Sequence, residues 1–308
     1  MKLIKVQEKL MGNSFSLGVL SEKEEKAQFD LNLAISEIKR IEKLFTTFDE
    51  SSQVNMINQG AGLTPVKVDR EILQLIHRSI KISELTQGAF DISYGSLDKN
   101  FWNFNRAMKE LPKPEDALKS VELINYKNIE LNFGDSTVFL KKKGMRIGFG
   151  GIGKGYAADS AQRLLKELGY ENGVVNASGD LCAWGKDEGN KPWQIGIINP
   201  DDKNKVLGYV NLNNSSTATS GNYEKFVIIK GIKYSHTINP KTGFPVKGIK
   251  SVTIFAPTAE LSDVLTTPVL VMGKEVGLDL INQIKGVECI LIDDNNKIFT
   301  SKNINFHS

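Results

Sequence analysis

An α+β fold is what this sequence predicts, and three features lead there. Helical and extended patterns are interleaved along the whole chain. Short extended segments crowd the stretch from residue 174 to residue 256. They do so without the strict strand–helix–strand alternation that a parallel sheet requires. With 308 residues, 40% of them hydrophobic and 24% charged, the chain can bury a sizeable core. No linker, internal repeat or low-complexity stretch interrupts it. The expectation is one domain over residues 1–308, at most divided into two merged subdomains.

The elements follow in order. Leu31, Ile35, Ile38, Ile41 and Phe45 recur at helical spacing opposite a Glu- and Lys-rich face, which predicts a first long helix. Asp69 stands where it can cap a second helix through Ile72, Leu75, Ile76 and Ile80. Ile129 to Phe139 reads as a hairpin turning at Asn132-Phe133-Gly134-Asp135. Ala157, Ala161, Leu164, Leu165 and Leu168 mark a third helix that stops at Gly169. Strands are then expected over Val174–Asn176, Trp193–Ile198, Val206–Leu212, Phe226–Ile229, Lys233–Thr237 and Ser251–Ala256, with turns such as Asn199-Pro200-Asp201-Asp202 and Lys230-Gly231 between them. Helices over Ala259–Met272 and Lys274–Ile284 and a last hairpin turning at Asp293–Asn296 complete the chain.

Charge and composition exclude several functions. The formal net charge is only +3, and its Lys and Arg are scattered among Asp and Glu, so the concentrated basic stripe of a nucleic-acid binder is missing. The first residues mix Lys and Glu without the apolar run of a secretory signal, and no stretch approaches the roughly 20 apolar residues of a membrane span. Cys182 and Cys289 are far apart and read as reduced core residues. A cytoplasmic protein is expected; a periplasmic or lipid-anchored one is the alternative if a leader has been removed. His77, His236 and His307 lack zinc-ligand spacing, and no CxxC pair, GxSxG elbow or Walker A sequence occurs.

Three segments carry candidate chemistry. RIGFGGIGKGYAAD, Arg146 to Asp159, places Gly148, Gly150, Gly151, Gly153 and Gly155 directly before an amphipathic helix. Missing side chains let backbone approach a ligand, and a helix N-terminus favours an anion such as pyrophosphate. Lys154 can add a positive charge there. A plain Gly-rich turn is the alternative, and a Rossmann fingerprint is rejected because the preceding strand is poor and the flanks are not βαβ.

The second segment is APTAELSDVLTTPVLVMG, Ala256 to Gly273. Asp263 and Thr267 lie one helical turn apart and share a face, where their oxygens suit a hard cation such as Mg²⁺. A solvated Asp beside a packing Thr is the plainer reading. Pro268 cannot donate to the Val264 carbonyl and disfavours helical geometry at Thr267. In the third segment, GIKYSHTINPKTGFPV, His236 ends a strand just before the turn Asn239-Pro240-Lys241-Thr242-Gly243, a place suited to proton transfer near neutral pH. A lone His is otherwise commonly structural.

Taken in order along the chain, MGNSF (Met11 to Phe15), TTFDESSQVNMIN (Thr46 to Asn58), GAFDISYGSL (Gly88 to Leu97), GGIGKGYAAD, VNASGD (Val175 to Asp180), TSGNYEKF (Thr219 to Phe226), YSHTINPKTGFPV and SDVLTTPVLVMG resemble the FAD:protein FMN transferase family, also called ApbE-like. No single motif is decisive; the set in register is. The resemblance implies mixed or antiparallel sheets with flanking helices. It implies that Met11, Phe48, Ala89, Phe90, Asp91, Lys154 and Ile238 line an FAD site, with Gly148 at a position that usually holds an FAD-contacting Asp. It implies Mg²⁺ ligation by the Gly151 carbonyl, Asp263 and Thr267, with Thr266 contributing. The implied reaction moves FMN from FAD, the substrate, to a Ser or Thr hydroxyl in a short Asp-Gly-containing motif of an acceptor flavoprotein.

Breaking FAD's phosphoanhydride is phosphoryl transfer with AMP as leaving group, in which positioning and charge neutralisation dominate. His236 is the candidate to take the acceptor's proton, and Asp180 is the substitute. Besides Gly148, the chain departs from the family in Phe48, which stands for a Tyr, in Asn239, which stands for an Asp near His236, and in Ser178, which stands for a Gly. Hydrolysis of FAD to FMN and AMP is one alternative function; flavin binding without chemistry is another.

Overall fold

The computed structural model describes residues 1–102, 108, 110–221, 226–304 and 306, without the side chains of residues 203 and 233. His307 and residues 222–225 of the TSGNYEKF segment lie outside this description. The chain opens with a hairpin, β1 (Lys2–Leu10) and β2 (Asn13–Ser21), followed by α1 (Glu24–Phe45) and α2 (Gln53–Gln59). Next come β3 (Val66–Lys67), α3 (Arg70–Leu85), a 3-10 turn over Ile92–Ser96, α4 (Pro114–Ser120), β4 (Ile129–Asn132) and β5 (Thr137–Leu140). Then follow α5 (Gly153–Glu167), β6 (Gly173–Ala177), β7 (Asp180–Trp184), β8 (Trp193–Asn199), β9 (Asp202–Leu212), β10 (Ser215–Gly221), β11 (Phe226–Ile229) and β12 (Ile232–Ser235). The chain closes with β13 (Ile249–Ala256), α6 (Ala259–Met272), α7 (Lys274–Gln283), β14 (Glu288–Asp293) and β15 (Ile298–Thr300).

The central sheet has the order β1-β2-β6-β7-β10-β13-β14-β15, and its neighbouring strands pair antiparallel. Such a sheet displays alternate residues to opposite faces. One face, with Val175, Cys182, Val252, Ile254, Cys289 and Leu291, packs in the main core with α1, α5 and α6. The other, with Leu181, Ala183, Phe255 and Ile290, meets Ile197, Val210 and Leu212 of the β8–β9 ribbon. Both cysteines are free and buried, as expected of reduced core residues.

The expected helices are present, but three details differ. Asp69 occupies the position before α3, yet its carboxylate makes no cap bond; it accepts from the Gln53 side chain at 2.6 Å instead. Pro268 lies inside α6 without interrupting it, so Thr267 stays helical; surrounding burial of Val264, Leu265, Val269 and Leu270 holds the helix where local preference opposes it. The strand expected over Lys233–Thr237 ends at Ser235, leaving His236 just beyond it. Among the described residues, no helix is long and apolar enough to cross a membrane.

Candidate functional site

The Gly-rich segment is an anchored turn rather than a loose one. Ile147 and Ile152 are buried, and Phe149 packs on Phe45 with ring centroids 4.4 Å apart. The Asn58 side chain meets the Ile147 backbone twice: its amide donates to the carbonyl at 3.1 Å and its oxygen accepts from the N–H at 2.7 Å. The Gly148 N–H donates to the Ile92 carbonyl. Fixed this way, the glycines divide by purpose. A methyl on Gly155 would fall 2.2 Å from the Ala259 carbonyl oxygen, so that glycine permits close contact of α5 and α6. A methyl on Gly150 would meet nothing within 4 Å, and one on Gly148 only Thr47 at 3.9 Å. Those two bare positions face open space.

That space is a cleft in two parts, with Gly148 and Gly150 in both walls. An inner cavity of about 340 Å³ brings together Ala89, Phe90, Asp91, Gly151, His236, Ile238 and Thr267, with Tyr94 and Val271. An outer one of about 440 Å³ brings together Met11, Phe48 and Lys154, with Glu42 and Thr47. Phe48 is 98% exposed. An aromatic face so open to water at a cleft rim is available for stacking. Met11 takes a left-handed φ of 50° in the β1–β2 turn, an unfavourable geometry for a side-chain residue. The Glu42 carboxylate holds it by accepting from the Met11 N–H at 2.8 Å, and the Asn13 side chain donates to the Met11 carbonyl.

Asp91 lines the inner cavity, but its carboxylate is largely occupied. One oxygen accepts from the Ser93 N–H and hydroxyl, and the other from the Tyr126 N–H. Burial still pushes its pKa up. Asn239 caps its own turn by accepting from the Lys241 N–H at 2.8 Å, work that requires an oxygen and no charge.

Lys154, Asp180 and Asp263 form a cluster behind the glycine turn. Lys154 pairs with Asp180, and its ammonium lies 3.5 Å from Asp263 Oδ1. Burial opposes the Lys154 charge, but the Asp263 and Asp180 carboxylates prevail and raise its pKa. Asp180 is pushed up, by burial first and by the Asp263 charge second. Asp263 Oδ2 accepts from the Gly155 N–H at 3.0 Å, so the carboxylate caps α5 from the neighbouring helix. Asp159 of α5 returns the arrangement, accepting from the Ala259 and Glu260 N–H groups at 2.8 Å each. Two helix starts are thus tied by reciprocal carboxylates at the point of closest contact.

Thr267 lines the inner cavity beside Gly151, whose added methyl would lie 3.8 Å from Thr267 Oγ1. Thr266 is not among the cavity's lining residues, and its hydroxyl is engaged: it donates to the Asp263 carbonyl at 2.8 Å and shares a hydrogen bond with Ser220 of β10. Among the described residues, no group of three or more His, Cys, Asp or Glu side chains is placed to hold a metal. The donor set of Asp263, Thr267 and the Gly151 carbonyl nevertheless suits magnesium, which takes few protein oxygens and shares substrate phosphates. Asp263 Oδ1, with its nearest donor beyond ordinary hydrogen-bond length, keeps lone pairs to offer. The crowding of two carboxylates on one ammonium, which pushes Asp180 up, is a charge pattern that a bound cation would relieve.

Sequence reasoning missed Tyr94, Glu42 and Asp159. Tyr94 lies inside the GAFDISYGSL segment without a role read for it there, and Glu42 follows no motif spacing. Asp159 closes the glycine-rich segment but reads as an ordinary polar-face residue until α6 is set beside it.

Fold and site together define an antiparallel α+β protein with a two-part cleft built on a glycine turn. The chain belongs to the ApbE family, whose model matches residues 11–291. A FAD:protein FMN transferase of Klebsiella pneumoniae (strain 342) is 30% identical over 294 residues, 95% of this chain and 90% of that protein. One of Treponema pallidum (strain Nichols) is 29% identical over 282 residues, 87% of this chain and 78% of its own. The crystal structure of the ApbE protein from Thermotoga maritima superposes with a TM-score of 0.88 at 30% identity, covering 98% of this chain and 97% of that one. The flavin transferase ApbE from Vibrio cholerae, at 23% identity and a TM-score of 0.84 over 98% and 97% of the two chains, shares the fold.

Proposed function

We propose that this protein is an enzyme of the flavin-transferase type, a FAD:protein FMN transferase. FAD spans the two-part cleft with its pyrophosphate at the glycine turn. The observation that carries this reading is the open backbone of Gly148 and Gly150 shared by the walls of two cavities, with Lys154 on the outer one and its carboxylate partners Asp180 and Asp263 behind it. The bare glycine turn lets backbone approach a diphosphate closely, Lys154 on the outer cavity supplies an ammonium beside it, and magnesium held by Asp263 would offset the carboxylate charge there.

In the reaction, the oxygen of a Ser or Thr hydroxyl on the acceptor bonds to the flavin-side phosphorus. The bond from that phosphorus to the bridging oxygen breaks, and AMP leaves with the bridging oxygen. The hydroxyl proton passes to His236. Asp263, Thr267 and the Gly151 carbonyl would hold magnesium, which supplies charge neutralisation to the phosphates when bound. Thr266 acts through the Asp263 backbone. The cleft walls restrain FAD in line with the incoming hydroxyl and limit access of water.

AMP release measured with FAD and Mg²⁺, with and without a Thr-containing acceptor, tests the reading. Release is expected to be slow alone, faster with the acceptor, and slow again with a Thr→Ala acceptor. Rapid release without any acceptor assigns FAD pyrophosphatase activity instead. FAD binding with no AMP under either condition leaves a flavin-binding protein.

A further inference from the structure

The inner cavity has mostly apolar walls, supplied by Ala89, Phe90, Ile238 and Val271. Tyr94, on the 3-10 turn that follows Asp91, is also part of its lining. The Tyr94 hydroxyl accepts from the Ile238 N–H at 3.0 Å, a contact that fixes where its oxygen lies. A phenol also has one proton to donate, and no acceptor for it is present among the described residues. Burial pushes the Tyr94 pKa up to about 12, so the proton stays in place at neutral pH. The result is a positioned donor in an apolar chamber, held by backbone on one side and unspent on the other. A ring that seats there and excludes water must offer this donor an acceptor or leave it unpaired, which is how a site comes to select a matching acceptor.

We propose that Tyr94 is a specificity-determining residue that donates its hydroxyl hydrogen bond to an in-plane acceptor atom of one heteroaromatic ring of FAD. The inference rests on the FAD reading above. Both ends of FAD offer such atoms: ring nitrogens on adenine, ring nitrogens and carbonyl oxygens on the isoalloxazine. Only one ring occupies the inner cavity, so the effect falls on one half of the dinucleotide.

The test is the affinity of wild type and Tyr94→Phe for FAD, ADP and FMN, each by calorimetry. Tyr94→Phe keeps the ring and removes the donor. Affinity for FAD and for one of the two halves is expected to fall about tenfold, while the other half binds as before. The half that responds identifies the ring. The variant also leaves the Ile238 N–H, in the same cavity, without its acceptor, so wild type and Tyr94→Phe are compared again with a deaza analogue of the responding half. A lost hydrogen bond predicts no further loss with that analogue, whereas a loss of about tenfold that persists overturns the inference. Equal losses for ADP and FMN, or no loss for either, overturn the inference while leaving the FAD reading standing. Wild-type protein that fails to bind FAD removes that reading, and the inference with it.

Discussion

The two walls of the cleft are held by different means. On one side, α5 and α6 meet inside the main core, with Gly155 against Ala259 and each helix start capped by a carboxylate from the other. On the other side, His236 and Ile238 follow a two-stranded ribbon, β11–β12, that has its own small cluster of Val227, Ile229 and Tyr234. A turn closes this second wall through the Ile238–Pro245 bridge, and Trp102 pins it by donating to the Gly243 carbonyl at 2.7 Å. The difference teaches where function and stability are coupled. The groups proposed to handle phosphate and magnesium are also structural fasteners, whereas the proposed proton acceptor stands just past the end of a two-stranded ribbon outside the main sheet.

Asp263→Ala breaks the first wall and should have the largest effect. Transfer is expected to fall by on the order of 10²-fold or more, as when one stabilising group is lost from a reaction site. The variant should also lose about 1–3 kcal/mol of stability, because the Gly155 N–H is left without an acceptor and half-buried Lys154 loses one of its two carboxylates. Steady-state turnover and urea unfolding measure the two effects. Loss of activity at unchanged stability would show that the helix junction does not depend on this carboxylate.

His236→Ala sharpens the comparison from the other wall. Transfer should fall by roughly 10²-fold, in the range for a lost general base. FAD affinity should change little, and the unfolding midpoint should move less than in Asp263→Ala. A drop in FAD affinity as large as the drop in rate would assign His236 to binding rather than to proton transfer.

Gly155→Ala tests close approach without touching a charge. The new methyl would lie 2.2 Å from backbone, which must move. A destabilisation of about 1–3 kcal/mol is expected from overpacking, with a loss of activity that follows the displaced Asp263. Thermal unfolding and a turnover assay at a temperature where the variant is folded separate the two.

Asp159 predicts a pH signature for the same wall. Burial pushes its carboxyl up to about 6 from an ordinary value of 3.8. The folded state therefore holds this proton more tightly than the unfolded state does. The stabilising contribution is full below pH 3.8 and is lost as pH rises through about 6, amounting to at most about 3 kcal/mol. Asp159→Asn should flatten this part of the urea-unfolding profile between those pH values. An unchanged slope would place the titration on another group.

Much of this architecture is legible in the sequence where apolar periodicity is strong. Leu31 to Phe45, Ile72 to Ile80 and Ala157 to Leu168 mark helices because each buries a continuous stripe. The strand β10 is not legible: Ser215–Gly221 is a run of small and hydroxylated residues, yet it lies between β7 and β13 in the main sheet. Its burial comes from neighbours rather than from its own hydrophobicity. The β1–β2 hairpin is also hidden, since its turn uses a left-handed Met11 before Gly12 instead of an Asn-Gly or Asp-Gly pair. At the site, the glycine turn, Lys154, His236 and the Asp263–Thr267 pair stand out by residue type and spacing. The reciprocal capping does not, because it joins carboxylates and N–H groups about a hundred residues apart in the chain.

The most direct measurement of the central claim is the intact mass of an acceptor flavoprotein after incubation with this protein, FAD and Mg²⁺. The account predicts a gain equal to one FMN less one water, located on a single Ser or Thr and absent when that residue is replaced by Ala. An acceptor that keeps its original mass while FAD is consumed would contradict it.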